Sequence, residues 1–309
     1  MIQKWKIKAV VQKVISFFPY KEHLNYFFQR FVTKGNHLTD EYFQFKLNHA
    51  LQHVKYLQTY GKPSPTNKIL ELGTGWYPII PIGYFLQDLG TVYSVDLYNW
   101  LTKKSFLLTI QKILKWKELN KVNSFLPLLK PERWAILQHI NDHPSQYTKE
   151  RIAKAIGLIY LVEDARKLPI EDRSVDFICS NNTYEHIPSK TLRAILDEFK
   201  RVLIKEGVMS HFIDMTDHFA HIDKSLTLFN FLQYSEKKWN LIDNAIQPQN
   251  RMRLKDYHTL YSSLSIPITT SKTNSGRIED LRKLSLHPDF EKYTEEELAI
   301  CHAYVVSLC

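Results

Sequence analysis

The sequence predicts an α/β fold built around a mostly parallel, doubly wound sheet. Short apolar runs alternate with longer helical stretches, which is typical of parallel strands joined by crossover helices. The first run, residues 68–73, leads directly into a turn that contains Gly73 and Gly75. The second run, residues 92–97, carries Asp96 about twenty residues after the glycines, where a doubly wound sheet places the acid that binds a ribose. These observations predict a site for a nucleoside-type ligand.

The turn after the first strand narrows the choice of ligand. Glycine permits backbone angles and a close ligand approach that a side chain would block. The dinucleotide pattern G-x-G-x-x-G fits poorly, because Pro78 stands where the third glycine belongs. The phosphate-binding pattern G-x-x-x-x-G-K-[ST] is absent from the sequence. What remains is an acid followed by two spaced glycines, Glu71-x-Gly73-x-Gly75.

Three further motifs follow in order. An apolar run from Ile159 ends in Asp164-Ala165, and a second, Val175 to Ser180, follows an acidic turn. The stretch after the latter is Asn181-Asn182-Thr183-Tyr184-Glu185-His186-Ile187, and Phe199 to Gly207 follows as a helix and turn.

Together these motifs resemble those of the class I S-adenosylmethionine (SAM) dependent methyltransferases, in particular the type 11-like members. The resemblance covers residues 66–215, and a looser resemblance to an uncharacterised bacterial subgroup extends to residue 253 and to the N-terminal region. It implies SAM as the cofactor, with the acid and glycines beneath its methionine end and Asp164 at the adenine. The implied cofactor-binding residues are Glu71, Gly73, Thr74, Gly75, Asp96, Leu97, Asp164, Ala165 and Asn181. Tyr77 departs from the family, which often has another glycine there, and Glu206 stands where proline is usual.

The fold that this resemblance implies is a Rossmann-like class I methyltransferase sheet of seven strands. Its predicted strands are 68–73, 92–97, 159–165, 175–181 and 207–214, closed by a hairpin-like pair at 266–271 and 303–308. Residues 1–66 are predicted to form an N-terminal helical extension, and residues 67–309 the methyltransferase domain. Residues 98–158 are far more than a crossover needs and are predicted to be an inserted helical lid above the ligand site.

Composition restricts the remaining possibilities. The chain has 309 residues with 44% hydrophobic and 24% charged residues, as in a globular protein. Its net charge of +9 favours acidic partners such as nucleic acid, anionic lipid or a phosphorylated substrate. Three cysteines without a C-x-x-C pair predict neither disulfides nor zinc and favour a reducing cytoplasm. No apolar run is long enough to span a membrane.

The N-terminus shows a basic amphipathic pattern. Ile7, Val10, Val11, Val14 and Phe18 recur at helical spacing, whereas Lys6, Lys8, Gln12 and Lys13 fall on the other side. Such a helix either packs on its own domain or lies on an anionic membrane, so residues 1–18 are a candidate for peripheral contact at the inner face of the membrane.

Polar residues after the fifth strand are the candidates for acid–base chemistry. His218, oriented by Asp217 or Asp214, is the first candidate for a base, and His186 is the second. Their spacing matches no defined metal motif, so no metal site is predicted. Arg251 and Arg253 are predicted to anchor an anionic group of the substrate through forked donors, and Tyr184 is a third candidate for substrate contact.

These features favour a methyltransferase that modifies a small molecule or glycan precursor, most simply on oxygen. The positive charge keeps nucleic-acid methylation as an alternative, but residues 181–184 are not the [DNS]-P-P-[YF] of exocyclic-amine methylation. Tyr77 keeps open a catalytically degenerate SAM-binding module. The sequence does not identify the acceptor or the oligomeric state.

Overall fold

A computed structural model describes residues 4–15, 37–244 and 248–309. Its centre is a seven-stranded sheet in the order β3-β2-β1-β4-β5-β7-β6. The strands are β1 (Lys68–Leu72), β2 (Thr91–Asp96), β3 (Leu158–Val162), β4 (Val175–Asn181), β5 (Leu203–Asp214), β6 (Thr270–Ser275) and β7 (Ile300–Leu308). The first five are parallel, and β7 pairs antiparallel with both β5 and β6. The predicted fold class is therefore confirmed, although β6 begins four residues later than predicted.

The helices flank this sheet and cover its carboxyl edge. They are α1 (Lys4–Ile15), α2 (Asp40–Tyr60), α3 (Ile79–Leu86), α4 (Lys103–Glu118), α5 (Pro131–Asp142), α6 (Lys149–Ala155), α7 (Ser189–Val202), α8 (Glu236–Ile242), α9 (Leu254–Ser263), α10 (Ile278–Arg282) and α11 (Glu295–Ala299). Several begin with a side-chain cap, for example Thr39 before α2 and Thr102 before α4. Such caps satisfy amide groups that have no partner within the helix.

Alternate residues of each strand pack into two separate cores. One face, with Ile69 of β1 and Phe177 of β4, packs with α2, α3 and the helices of the insert. The other face, with Leu70 and Ile178, packs against α7 and α9. Because both faces are covered, the central strands are almost continuously apolar, as expected of a parallel sheet. This arrangement leaves the carboxyl edge of the strands as the place where polar side chains meet.

The helical insert at 98–158 packs into the core on one face of the sheet, and its role as a lid stays a prediction. Phe106 and Ile110 of α4, Leu137 of α5 and Ile152 of α6 are fully buried in the same cluster as Ile69 of β1. The insert thus extends the helical layer on one face of the sheet. Its amphipathic pattern predicted helices correctly but did not specify the surface that they pack against.

The carboxyl edge beside β5 and β7 is covered by a different part of the chain. A third apolar cluster combines Phe219, Phe229 and Trp239, which follow β5, with Leu281 and Leu298, which precede β7. β5 and β6 end at this edge and β7 begins there, so the described parts of the connecting segments 215–253 and 276–299 lie above it. We call these two segments the cap.

Helix α1 packs on the cap through a face that the sequence pattern did not identify. Trp5 and Ala9 are buried in the third cluster, and Gln12, expected on the polar side, is also buried. The ammonium group of Lys13 donates to the carbonyls of Asn240 (2.9 Å) and Asp243 (2.7 Å).

The opposite face of α1 exposes apolar side chains. Ile7, Val10 and Val14 are each at least half exposed, and Phe18 lies outside the described residues. In the described part of the chain, no helix combines the length and apolar character that crossing a bilayer requires. Peripheral membrane contact through residues 1–18 stays a prediction.

Candidate active site

The turn between β1 and α3 requires both of its glycines, for different reasons. Gly73 has φ +79° and Gly75 has φ +73°, in the left-handed region that favours glycine. A Cβ at Gly73 would lie 2.9 Å from Cγ2 of Thr183, so the turn is packed against the loop that follows β4. A Cβ at Gly75 would meet nothing within 4 Å. The space in front of Gly75 is therefore open to a ligand.

Two buried acids flank this turn. Thr74 donates its hydroxyl hydrogen to Glu71 (2.5 Å) and accepts one from Ser94 (2.5 Å). The amide of Gly75 donates to both carboxylate oxygens of Asp96 at 3.3 and 3.2 Å. Burial raises the pKa of Asp96 to about 8 and that of Glu71 to about 7. Both carboxylates thus lack the partners that would fully compensate their burial.

Aromatic residues surround the turn where the family often has another glycine. Tyr77 packs against the core on the face of the insert, so it replaces the glycine with a packing contact. Trp76 and Trp100 lie with ring centroids 4.2 Å apart, and Tyr98 meets Trp100 edge-on at 5.5 Å. The hydroxyl of Tyr160 donates to the carbonyl of Tyr98 at 3.0 Å. These rings form an apolar wall close to Asp96.

The residues predicted to contact adenine lie at the ends of β2 and β3. Leu97 is 61% exposed, and Ala165 is buried in the core on the other face. Asp164 is held by Arg166, whose Nε donates to both of its carboxylate oxygens at 2.9 Å. These hydrogen bonds keep the pKa of Asp164 below its usual value. Asp164 is therefore an ionised, accessible acceptor at the same edge as Asp96.

Helix α2 brings polar groups to this edge that the sequence analysis missed. His53 Nε2 donates to Asn181 Oδ1 (2.9 Å), and its Nδ1 forms a hydrogen bond with Ser210 Oγ (2.8 Å). Burial lowers the pKa of His53 to about 4, so it is neutral at physiological pH. It fixes the side chain of Asn181, whose Nδ2 is buried without a hydrogen-bond partner in the described structure.

Lys46 is the second group that was missed. It is only 9% exposed, and it forms no ion pair or hydrogen bond with any described residue; its Nζ lies 5.9 Å from the centre of the Tyr42 ring. Burial dominates the raised pKa values of Glu71 and Asp96, and the charge of Lys46 opposes the rise at both. The sequence does contain a signal for it: Lys46, His49 and His53 share the stripe of α2 that is otherwise apolar.

A cluster of histidines and carboxylates lies where β5 and β7 meet the cap. His218 Nε2 is 3.5 Å from Asp214 Oδ2, and His302 Nε2 is 3.5 Å from Asp214 Oδ1. The rings of His186 and His218 lie with centroids 5.0 Å apart, so the two predicted bases are neighbours. Burial would raise the pKa of Asp214, but contact with His218 and Thr216 holds it below its usual value.

Asp217 does not orient His218. Its carboxylate accepts from the amide of Phe219 (2.8 Å) and from Nδ2 of Asn230 (2.9 Å), and it is fully buried. Asp217 therefore caps the short turn that begins with His218, and its predicted catalytic role is corrected in favour of Asp214.

The three predicted substrate-binding residues are engaged within the protein. Arg253 is fully buried and donates to the carbonyls of Met215, Leu298 and Ile300, so it joins the parts of the cap instead of meeting substrate. Tyr184 is fully buried in the core between the sheet, α7 and α9.

Arg251 has a similar structural role. Its guanidinium binds the carbonyls of Phe231 and Tyr234 and the carboxylate of Glu236, and its side chain is 4% exposed. Burial of the guanidinium among protein acceptors leaves little of it to bind an acceptor molecule.

A groove of about 1030 Å³ is lined by residues of the cap, including α8, and by the start of α7 and one face of α9. Its wall includes Arg251 and reaches the histidine cluster only through His186. None of the residues around Gly75 and Asp96 lines it. The geometry of the cofactor-type site is thus independent of this groove.

Comparison with known proteins identifies the domain. Residues 135–210 match a family model described as a methyltransferase domain. The match covers about a quarter of the chain, from α5 to β5. The classification predicted from the motifs, a SAM-dependent class I methyltransferase, is confirmed by this match together with the strand order. No curated protein matches the methyltransferase.

Solved structures similar to the methyltransferase are remote in sequence. A geranyl diphosphate methyltransferase in complex with SAM is 11% identical, with 84% of each chain covered and a TM-score of 0.45. The geranyl diphosphate C-methyltransferase of Streptomyces coelicolor A3(2), with Mg²⁺, geranyl diphosphate and S-adenosyl-L-homocysteine, is 11% identical over 84% of this chain and 79% of that chain, with a TM-score of 0.45. A SAM-dependent methyltransferase of Methanosarcina mazei is 12% identical over 82% and 95%, with a TM-score of 0.43.

Proposed function

We propose that this methyltransferase transfers the methyl group of SAM to a hydroxyl of a small molecule or glycan precursor. The observation that carries the proposal is that two under-compensated acids, Glu71 and Asp96, lie at the same sheet edge as the His218–Asp214 pair. The two acids suit binding of the cofactor, and the His218–Asp214 pair suits removal of a proton from the acceptor.

The residues at the glycine turn fit a SAM molecule. Asp96 has a single amide donor, that of Gly75, so its carboxylate retains acceptor capacity for the hydroxyls of a ribose. The open space before Gly75 allows the ligand to approach the backbone. Asp164 offers an acceptor for the adenine amine. The negative field of Glu71 and Asp96 favours a ligand that carries a sulfonium.

Lys46 supplies a positive charge near the two acids. The methionine end of SAM bears a carboxylate, which needs a cation near the turn. Lys46 is buried, has no ion-pair partner among the described residues and acts electrostatically on both Glu71 and Asp96. We assign it to the methionine carboxylate, with Asn181 Nδ2 as a second free donor at the same edge.

The histidine cluster suits methylation on oxygen. SAM, when bound, supplies an electrophilic methyl whose carbon–sulfur bond breaks as the new carbon–oxygen bond forms, with the electron pair left on sulfur. A hydroxyl needs a base for its proton, whereas a neutral amine does not. His218 accepts that proton, and the ionised Asp214 beside it stabilises the resulting imidazolium. The remaining contribution is orientation of the acceptor in line with the methyl.

Calorimetry with SAM and with S-adenosylhomocysteine tests the cofactor site. The wild type is expected to bind both ligands, and Asp96→Asn to bind them at least about tenfold more weakly, the loss of one charge-assisted contact. Absence of binding to the intact wild type would remove the proposal.

Methyl transfer is tested by incubating the protein with labelled SAM and fractionated metabolite extracts, followed by a mass search for a product heavier by CH₂. His218→Asn is expected to keep SAM affinity and lose transfer. His258→Gln is the matched control, because His258 bonds Ser271 of β6 and is not part of the cluster. SAM binding without any transfer would favour the SAM-binding module instead.

A further inference from the structure

We propose that Asp214, His218 and His221 bind one divalent transition-metal ion, with Glu185 as a second carboxylate beside it. Neither the motif spacing nor the family resemblance predicts a metal here. The inference comes from the way the cap folds these residues back over the end of β5, so that ligand atoms of Asp214, His218 and His221 lie within 4.8 Å of one another.

The carboxylate of Asp214 is oriented as metal-binding carboxylates are. Its Oδ1 accepts from the amide of Thr216 (2.9 Å) and from the Thr216 hydroxyl (2.6 Å), and His302 Nε2 lies 3.5 Å from the same oxygen. These contacts fix one oxygen and direct the other, Oδ2, towards His218 and His221. Hydrogen bonds of this kind around the ligands tune metal sites.

The separations between ligand atoms fit a shared ion better than hydrogen bonds. Oδ2 of Asp214 lies 3.5 Å from His218 Nε2 and 3.9 Å from His221 Nε2, both longer than an ordinary hydrogen bond. Ligands about 2.1 Å from a tetrahedral ion lie about 3.4 Å apart. A small closure of the His221 side chain, which is 51% exposed, completes such a triad and exchanges its 3.2 Å contact with Thr216 Oγ1 for the ion.

Glu185 gives an independent indication of a missing cation. It is 1% exposed, and neither of its carboxylate oxygens has a hydrogen-bond partner in the part of the chain that the structure describes. A ligand atom of Glu185 lies within 4.8 Å of those of His186 and His218. An unpaired carboxylate is costly to bury, and a divalent ion beside Asp214 and Glu185 would balance both charges.

His186, beside the proposed ion, is held in a single neutral tautomer. Its Nδ1 donates to the carbonyl of Pro248 at 2.7 Å, which leaves Nε2 as the unprotonated nitrogen. Such a hydrogen bond fixes the tautomer that a metal-binding histidine needs. The residues proposed at the ion, His218 and His221 with Asp214 and Glu185, supply two imidazoles and two carboxylates, which suit zinc, iron, manganese or cobalt.

The role of the ion rests on the proposed methyl transfer, whereas its binding does not. Three protein ligands leave open positions for a substrate hydroxyl. A coordinated hydroxyl loses its proton to solvent more easily, because the ion stabilises the alkoxide. With the ion bound, His218 serves as a ligand and the ion replaces it in activating the acceptor.

The test measures metal directly. The full chain is stripped with a chelator, titrated with Zn²⁺ by calorimetry, and loaded with Co²⁺ to record its visible ligand-field absorption. We expect one equivalent of ion per chain, and at least about tenfold weaker binding in His221→Gln and in Glu185→Gln, as ligand or supporting residues are lost. Because His221 is half exposed, its variant is expected to fold, which circular dichroism checks.

His139→Gln is the matched control. The rings of His139, on α5, and His143, the residue after this helix, stack with their centroids 4.5 Å apart, so the pair is a place for an adventitious ion at the surface. The proposal fails if the wild type binds no stoichiometric ion, or if His221→Gln binds as tightly as the wild type. SAM binding and methyl transfer by the metal-free protein would overturn the metal's role and leave His218 as a free base, so the two proposals fail separately.

Discussion

The affinity for SAM is expected to depend strongly on pH through Asp96. Burial, aided by the neighbouring Glu71 carboxylate and opposed by the amide of Gly75, raises the pKa of Asp96 to about 8 in the ligand-free protein. Ribose hydroxyls can donate only to the ionised carboxylate at full strength, and the sulfonium also favours it. The pKa of Asp96 therefore falls on binding, and below pH 8 binding releases a proton.

The direction and the size of this pH dependence follow from the linkage between SAM binding and ionisation of Asp96. Affinity rises with pH up to about 8 and levels off above it, because the ionised form is then present before binding. At pH 6 a group with a pKa of about 8 is ionised in about 1% of molecules, so the dissociation constant is about a hundredfold weaker than at pH 9, or about 2.7 kcal/mol.

Calorimetry from pH 6 to pH 9, repeated in buffers with different ionisation enthalpies, measures both the affinity and the number of protons released. Asp96→Asn is the control for titration of SAM itself, which affects both proteins equally. This variant is expected to bind SAM weakly at all pH values, without the rise in affinity with pH that Asp96 causes. Glu71→Gln removes the like charge and is expected to shift the midpoint to lower pH. A wild-type affinity that is flat from pH 6 to 9, or an unchanged slope in Asp96→Asn, would refute the reasoning.

Three further substitutions test other parts of the site. Lys46→Met is expected to weaken SAM binding about tenfold or more by removing a buried charge-assisted contact, whereas adenosine, which lacks the methionine carboxylate, should bind equally well to both proteins. Gly73→Ala combines an unfavourable φ with a clash against Thr183, so it should lower the free energy of unfolding well beyond the 1–2 kcal/mol or so of backbone strain expected for Gly75→Ala; equal losses in denaturant melts would contradict this. Arg253→Met leaves three buried carbonyls unpaired and is expected to cost about 3 kcal/mol, seen as a lower melting temperature with SAM affinity retained if the protein folds.

The sequence predicts which side chains meet at the ends of β1 and β2 because these residues lie close together in the chain. Asp96 and the Gly73–Gly75 turn are attached to continuous apolar strands, and parallel strands bring their carboxyl ends to one edge. The same logic placed His218 near Asp214, four residues apart. Apolar periodicity therefore carries information about both the sheet and the residues that end its strands.

The remaining features depend on contacts between distant parts of the chain. Lys46 reaches the site from α2, and its amphipathic pattern does not state which strands that helix covers. Arg253 belongs to a polar stretch of sequence that is typical of an exposed segment, yet it is buried within the cap. The insert at 98–158 packs into the core because its helices contact one face of the sheet, which their own sequence does not specify. Helical periodicity identifies a buried face but not its partner.

The position of β7 has a consequence for when the site can exist. β5 is made long before β7, but β7 lies between β5 and β6, and His302 is paired in register with Asp214. During synthesis the glycine turn and its acids are complete once β5 has joined the sheet, whereas the histidine cluster waits for residues 300–308. A nascent chain would thus acquire its cofactor side first and its acceptor side last, so that no incomplete chain carries the full set of groups.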